Sequence, residues 1–256
     1  MALNARASTK PRMSIRIGIG GWNFPEWRGT FYPVGLPQAR ELEHASRAVQ
    51  TIEINATFYK TQSADSFRRW AAATPDDFVF TIKGSRFCTN RRVLADAGEG
   101  IERFLGQGLT ELGPKLGPLV WQLAATKRFE PDDFGAFVRL LPPYRDGVPL
   151  RHAVEARHES FDDPAFYDLS RAHHIAVVVL DPAARAVAVD TTDFVYARLQ
   201  AMREEEPTGY DEAGLDRWAA QARDWSHDRD VFMFAINGAK VRAPAAAKAL
   251  IARIES

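Results

Sequence analysis

The stretch from Thr51 to Lys83, TIEINATFYKTQSADSFRRWAAATPDDFVFTIK, contains one complete strand–helix–strand unit and decides the fold class. Thr51 to Asn55 is a strand-like run, and Phe67 to Ala73 has a helical pattern that Thr74-Pro75 stops. A second strand-like run, Phe78 to Lys83, follows. Strands that alternate with helical segments are typical of βαβ units, so this stretch predicts an α/β fold with a parallel sheet.

The same alternation continues along the rest of the chain. Strands are expected at Ile15–Gly20, Thr51–Asn55, Phe78–Lys83, Leu119–Leu123, His152–Ala156, Ile175–Leu180, Phe194–Leu199 and Val231–Ile236. Helices are expected at Arg40–Val49, Phe67–Ala73, Ile101–Leu112, Asp132–Leu141, Pro164–His173, Leu215–Trp225 and Pro244–Ile254. Eight such units predict a TIM-type (β/α)8 barrel that forms a single domain over residues 14–256, and an open doubly wound sheet is the alternative.

Two segments depart from this regular pattern. Asp181 to Asp193, between the sixth and seventh strands, is too short and too β-branched for a full helix, so we expect a short or missing helix there. Residues 1–13 carry cations without an acid and have no apolar core for a secretory signal. We expect them to form a flexible N-terminal tail, and Met13 is an alternative start of translation.

Composition limits the class of protein. The 256 residues are 46% hydrophobic and 26% charged, which is typical of a soluble globular chain and excludes disorder for most of it. No run approaches the ~20 apolar residues of a membrane-spanning helix. Lys and Arg total 33 and so do Asp and Glu, which argues against a protein that coats nucleic acid. The single Cys88 excludes an internal disulfide framework and fits the reducing cytoplasm, where we expect the protein.

Polar side chains follow the predicted strands at their carboxyl ends, where TIM-type barrels carry their chemistry. These are Glu53, Asn55, Lys83, Arg86, Gln122, Glu155, Arg157, His158, Asp181, Arg198 and Asn237. A buried charge costs several kcal/mol unless it is paired, so we interpret the set as a ligand site. The alternative is a set of salt bridges that close the barrel end, Glu53 with Lys83, and Glu155 with Arg157 or Arg198.

Metal and cofactor sites are not predicted. Three carboxylates are mixed with cations, and the six histidines show no metal-ligand spacing. Aromatic residues near the strand ends include Trp22 and Tyr59, which would stack on a sugar ring or a base, or else plug the barrel mouth. Arg91 and Arg92 follow the third strand in a basic stretch that is either a phosphate-binding lip or a solvated loop.

Several motifs together resemble one family. They are Gly20-Gly21-Trp22, Trp27-Arg28-Gly29, Phe31-Tyr32-Pro33, Ile52-Glu53-Ile54-Asn55-Ala56-Thr57-Phe58-Tyr59, Val154-Glu155-Ala156-Arg157-His158 and Asp193-Phe194-Val195-Tyr196-Ala197-Arg198-Leu199. The chain thus resembles the YecE-like family, domain of unknown function 72, over Ile15 to Ile254. The resemblance implies a TIM-type barrel and no assigned activity. Members usually carry His where this chain has Gln200, and Phe-Asn-Asn where it has Ala235-Ile236-Asn237.

We therefore expect a small anionic or sugar-like ligand at the strand ends. Lys83, Arg157 and Arg198 would hold a phosphate or carboxylate, and Glu53 or Glu155 would act as general base. If the protein is an enzyme, this indicates a hydrolase or a lyase-type acid/base enzyme. The alternatives are a nucleic-acid-binding or metal-dependent phosphodiester-processing protein, and a non-catalytic interaction protein. The sequence predicts no oligomeric state.

Overall fold

The computed structural model describes residues 13–181 and 187–256. Apart from Met13, the predicted N-terminal tail lies outside these residues. The barrel strands are Ile15–Gly20, Thr51–Ile54, Val79–Lys83, Leu116–Gln122, His152–Glu155, Ile175–Val177 with Val179–Asp181, Phe194–Leu199 and Asp230–Ala235. They agree with the eight predicted strands to within a few residues, and all pair in parallel.

The sixth strand closes the barrel in two halves. Ile175–Val177 pairs with the fifth strand and Val179–Asp181 pairs with the seventh. Between the halves, the Val178 N–H donates to the Val154 carbonyl at 3.0 Å. The first strand pairs with both the second and the eighth, so the ladder runs around a barrel. This confirms the TIM-type barrel over the open sheet, and the predicted continuous sixth strand is interrupted because it changes partner.

Helices connect the strands around the outside of the barrel. The α-helices are Glu41–Ala48, Ala56–Tyr59, Ala64–Ala72, Arg86–Thr89, Gly98–Leu105, Pro131–Arg139, Pro164–Ala172, Glu212–Trp225 and Ala243–Glu255. Short 3-10 turns occur at Pro25–Trp27, Gln38–Arg40, Leu94–Ala97, Leu109–Lys115, Glu159–Phe161 and Lys240–Arg242. Tyr144–Arg145 and Val148–Pro149 form a small antiparallel hairpin.

One predicted helix is wrong in its extent. Ile101–Leu112 was expected as a single helix, but the helix ends at Leu105 and a 3-10 segment starts at Leu109. Gly108 between them has a φ of 94°, and a Cβ there would lie 2.6 Å from the Cβ of Ala64. The close approach of the neighbouring helix therefore requires glycine and breaks the pattern.

The expected gap between the sixth and seventh strands falls partly on residues 182–186, which lie outside the described residues. Residues 187–193, which are described, contain no helix. Among the described residues, no helix combines the length and apolar character needed to cross a bilayer.

Two apolar layers position the candidate site. One lies between the strands and the helices, and the other fills the barrel, where alternate residues such as Phe232 and Phe234 point inward. Tyr196 stacks on Phe234 inside the barrel, with ring centroids 5.0 Å apart. Toward the carboxyl ends of the strands, the inward positions change from apolar to charged, as at Glu53 and Arg198. The barrel core is therefore apolar at its centre and polar at one end.

Candidate active site

The centre of the polar end is an arginine held between two carboxylates. The Arg198 guanidinium donates to Glu53 Oε1 at 2.9 Å and also to Glu155 Oε2. The three side chains lie on strands seven, two and five and are at most 1% exposed. Strand alternation turns each of them into the barrel, so residues distant in sequence meet at its axis.

A second set of hydrogen bonds fixes Glu53. The Tyr196 hydroxyl donates to Glu53 Oε2 at 2.7 Å. A phenol has only one hydroxyl proton, so Thr81, whose Oγ1 lies 2.8 Å from the Tyr196 oxygen, is the donor in that contact. Tyr196 lies two positions before Arg198 on the same strand and therefore points to the same side. Both oxygens of Glu53 are thereby occupied.

Glu155 is held in the same way. Its Oε1 accepts from Gln122 Nε2 at 2.8 Å and from Arg157 Nε at 2.5 Å. Gln122 pairs with Glu155 across adjacent strands, and Arg157 lies two positions beyond it at the strand end. The alternative interpretation, salt bridges that close the barrel end, paired Glu155 with Arg157 or Arg198, and the structure contains both pairs. The expected pairing of Glu53 with Lys83 is wrong, because Arg198 and Tyr196 occupy Glu53 instead.

Charge and burial shift several pKa values in this network. Burial raises the pKa of the Glu155 carboxyl, but the charges of Arg198 and Arg157 outweigh it and leave that pKa below its usual range. Burial lowers the pKa of the Arg198 guanidinium, but the two glutamates raise it overall. Burial and the Glu53 charge raise the pKa of Tyr196. The Glu155 carboxylate is therefore ionised beside the charged Arg198 and Arg157, and the Tyr196 hydroxyl stays neutral.

Lys83 is another cation at this end of the barrel, and its environment differs from that of Arg198. Its Nζ lies 4.1 Å from the centroid of the Phe58 ring, and the side chain is only 8% exposed. Within the described part of the chain, its ammonium has no carboxylate within 4.0 Å. Burial, followed by the charge of Arg198, lowers the pKa of Lys83 to about 8. Lys83 is therefore a buried amine that titrates near neutral pH.

Two buried donors near the end of the seventh strand have no hydrogen-bond partner among the described residues. They are Arg198 Nε and Gln200 Nε2. Arg198 lies on the strand, and Gln200 directly follows its last residue, Leu199. A buried N–H without an acceptor costs about 1–3 kcal/mol, so both groups are suited to an acceptor on a ligand.

Other predicted site residues do not join the network. Asp181 accepts a hydrogen bond at 2.5 Å from Tyr210, on the face of the strand opposite the barrel interior. Trp22 packs edge-on against Trp70 with centroids 5.3 Å apart, in the layer between strands and helices. His158 caps a short helix, its Nδ1 accepting from the Ser160 N–H at 3.1 Å. Asp181, Trp22 and His158 therefore make structural contacts and are not part of the Arg198 network.

The remaining predicted residues lie at the rim. Asn55 precedes the short helix Ala56–Tyr59, and its Nδ2 is 3.4 Å from the Glu53 carbonyl. Tyr59 and Arg86 are exposed, with the guanidinium carbon 6.0 Å from the ring centroid. Asn237 is exposed in a left-handed conformation with a φ of 64°.

Sequence reasoning missed four residues of this region as site members. Tyr196 and Thr81 lie two positions before Arg198 and Lys83, so the two-residue period of the strands could have found them. Phe58 follows the second strand directly before Tyr59, but only Tyr59 was expected to stack on a ligand. Gln200, two positions after Arg198, was noted only as a departure from the family pattern.

No group of three or more His, Cys, Asp or Glu side chains suited to a metal ion occurs among the described residues. Glu53 directs its oxygens at Arg198 and Tyr196, and Glu155 directs its oxygens at Arg198, Arg157 and Gln122. The arrangement can bind an anion or exchange a proton through Lys83.

Comparisons with known proteins give the family. The family described as "Protein of unknown function DUF72" matches residues 16–256. A DUF72 family protein from Thermotoga maritima is similar in structure, with a TM-score of 0.75 and 24% identity over 95% of this chain and 100% of that chain. One from Enterococcus faecalis has a TM-score of 0.71 and 16% identity, covering 95% of this chain and 98% of that chain. At these sequence identities, both similarities show a shared fold and nothing more.

A curated relative is the UPF0759 protein YunF of Bacillus subtilis, 24% identical over 159 residues. The match covers 60% of this chain and 54% of YunF, so the chain spans about half the length of that relative. The family match covers nearly all of the described barrel. The chain belongs to the DUF72 family.

Proposed function

We propose that the protein binds a small anionic or polyhydroxylated ligand at the carboxyl ends of the barrel strands and exchanges a proton with it through Lys83. The observation that carries this proposal is the state of Lys83: a nearly buried ammonium with a pKa of about 8 and no carboxylate partner among the described residues. An amine with this pKa is present in both protonation states near neutral pH, as a general acid or base requires. A protein that exchanges a proton with a bound anion in this way would be a hydrolase or a lyase-type acid/base enzyme.

The neighbouring cations complete the anion site. Arg157 is one-third exposed and is anchored through its Nε, so its two terminal nitrogens remain for a ligand oxygen. The unpartnered N–H groups of Arg198 and Gln200 would donate to a second oxygen, such as a hydroxyl or carboxylate. A ligand with an anionic group and adjacent hydroxyls would satisfy both sets of donors.

The two glutamates have a different role in this proposal from the one expected for them. Glu53 and Glu155 each accept from charged and neutral donors on both oxygens, and the pKa of Glu155 is lowered. Glu155 is therefore a weak base, and both oxygens of Glu53 already accept hydrogen bonds from Arg198 and Tyr196. We therefore assign Glu53 and Glu155 to fixing the charge and position of Arg198, and we assign proton exchange to Lys83.

The test is binding of small anions to the full chain by isothermal titration calorimetry and thermal shift. The probes are inorganic phosphate, citrate and gluconate at pH 7. At least one is expected to bind wild type, and Lys83→Met and Arg157→Met are each expected to weaken it about tenfold or more. Arg217→Met, on the exposed face of an outer helix, is the matched control. If no probe binds, or if Lys83→Met and Arg157→Met bind like wild type, the proposal is wrong.

A further inference from the structure

A second cationic surface lies on the same end of the barrel, on the loops after strands two, three and four. One cleft of about 290 Å³ is lined by Lys60, Phe87, Arg91 and Arg103, among others. Another, of about 670 Å³, is lined mainly by Asn90, Arg91, Arg92, Thr126, Lys127 and Arg128. Arg91 lines both clefts, so they are neighbours, and together we call them the basic groove.

The charges of the basic groove are largely uncompensated. Within the described residues, Arg86, Arg91, Arg92 and Arg128 have no carboxylate within 4.0 Å. The Nε of Arg91 donates to the Phe87 carbonyl at 2.5 Å, which fixes its guanidinium without neutralising it. Elsewhere on the surface, arginines such as Arg171 and Arg253 are paired with two acids each.

Acidic residues along the groove do little to reduce its charge. Glu99 is paired with Arg103 at 2.8 Å. Asp133, beside the groove, is paired with Lys127 at 2.5 Å. Glu130 is the one lining acid, among the described residues, without such a partner. The protein has no net charge, but this groove carries a local positive charge.

Polar contacts between neighbouring loops hold the groove in shape. Lys127 Nζ donates to Asp133 and, at 2.8 Å, to the Arg92 carbonyl, which joins the loop after strand four to the loop after strand three. The Ala95 N–H donates to the other Asp133 oxygen at 2.9 Å. Lys127 and Asp133 are at most 15% exposed. The loops are therefore ordered before any ligand arrives, which lowers the entropy cost of binding.

Two exposed aromatic rings extend the groove toward the barrel mouth. Tyr59 is 61% exposed and Phe87 is 62% exposed, whereas rings such as Trp27 and Trp121 are fully buried. Arg86 lies beside both rings, 6.0 Å from the Tyr59 centroid and 5.4 Å from the Phe87 centroid. Phe87 also lines the first cleft, so aromatic rings and guanidinium groups follow one another along the surface.

We propose that the basic groove binds single-stranded nucleic acid. Cations that follow a backbone, next to exposed rings on which bases stack, are the chemistry that recognises unpaired strands without sequence preference. The groove crosses the loops of three strands, so it suits a chain of phosphates better than one phosphate group. Exposed rings need unstacked bases, which a duplex does not offer. The groove uses residues other than Lys83, Arg157 and Arg198, so this inference does not depend on the small-ligand site.

The test is fluorescence anisotropy with a labelled twelve-nucleotide oligo(dT) and a duplex of equal length, from 50 to 300 mM salt. Wild type is expected to bind the single strand more tightly than the duplex. The double variant Arg92→Ala/Arg128→Ala is expected to reduce the slope of log affinity against log salt by about 1.4, or 0.7 for each lost phosphate contact. Phe87→Ala is expected to weaken binding about 5- to 100-fold with the slope unchanged.

Arg217→Ala removes one exposed arginine from an outer helix and is the matched control, expected to bind like wild type. Circular dichroism on each variant separates lost binding from lost folding. The proposal is overturned if the single strand does not bind at 50 mM salt, or if the duplex binds equally well. It is also overturned if thymidine monophosphate binds as tightly as the oligonucleotide, or if the groove variants bind like the control.

Discussion

Arg198 donates to Glu53 at 2.9 Å across the interior of the barrel, and the two residues belong to strands that are not neighbours. The first and eighth strands lie between strand two and strand seven in the sheet. The same guanidinium reaches Glu155 on the fifth strand. One arginine therefore connects three separated strands at the end of the barrel where the site lies.

Replacing this arginine should strongly destabilise the fold. Arg198→Met leaves the buried Glu53 and Glu155 without their shared cation, and breaking a buried ion pair costs about 3–5 kcal/mol. Urea denaturation at pH 7 measures the free energy of unfolding. Arg217→Met, an exposed control, should change it by less than about 0.5 kcal/mol. Equal stability of the two variants would show that the ion pairs of Arg198 do not stabilise the fold.

The Tyr196 hydroxyl should stabilise the network through Glu53. Tyr196→Phe removes the donor to a buried carboxylate oxygen, and we expect the free energy of unfolding to fall by about 1–3 kcal/mol. Tyr144→Phe, at an exposed ring, is the control. A double-mutant cycle with Thr81→Val should give a coupling energy of at least about 0.5 kcal/mol. Additive effects in the cycle would argue against the Thr81–Tyr196 contact.

Lys83 should reduce stability at neutral pH. Its pKa is about 8 in the folded protein and 10.5 in an unfolded chain, so between these values only the unfolded state keeps the proton. The stability of wild type therefore rises from pH 8 to 10.5. Lys83→Met removes the buried charge and should be more stable than wild type at pH 7 by roughly 3 kcal/mol, from 1.36 kcal/mol per pKa unit.

Urea denaturation of wild type and Lys83→Met at several pH values between 7 and 10.5 checks this expectation. The difference should shrink as pH rises and vanish near pH 10.5. Lys60→Met, at an exposed lysine, is the control and should show no such trend. A constant difference across the range would mean that the pKa of Lys83 is not lowered.

Strand alternation predicts which site residues point into the barrel, and packing determines which of them pair. The inward positions of Glu53, Glu155 and Arg198 could be predicted because each strand has a period of two and TIM-type barrels bring strand ends together. Which carboxylates pair with Arg198 could not be predicted. That choice depends on the barrel diameter and on Tyr196, which supplies the second donor to Glu53.

The face of a residue at a strand end is harder to predict. Asp181 ends the sixth strand, and its position at the carboxyl end was the basis for including it in the site. The strand is interrupted at Val178, and Asp181 lies on the outer face, where it bonds to Tyr210. Trp22 was expected near ligand or as a plug, but it packs edge-on beside Trp70 in the layer between strands and helices.

The charge of Glu155 should stabilise the fold only when the carboxyl is ionised. Its pKa is lowered in the folded state, so its contribution is present above the ordinary value of 4.5 and is lost as pH falls through the lowered value. Glu155→Gln should therefore be less stable than wild type at pH 7, and the difference should diminish below pH 4.5. Urea denaturation from pH 7 to 3 measures it, with the exposed Glu99→Gln as the control.

Lys127 should hold together the two loops that form the basic groove. Lys127→Met removes the donor to Asp133 and to the Arg92 carbonyl and leaves a nearly buried carboxylate without its cation. We expect faster hydrogen exchange at the Ala95 amide, which bonds to Asp133, and at residues 90–95 around it. Exchange in the seventh strand, on the opposite side of the barrel, should stay as in wild type. Lys248→Met on the last helix is the control. If exchange at Ala95 is unchanged in Lys127→Met, the loops are held by their apolar contacts alone, with Leu94 as the buried anchor.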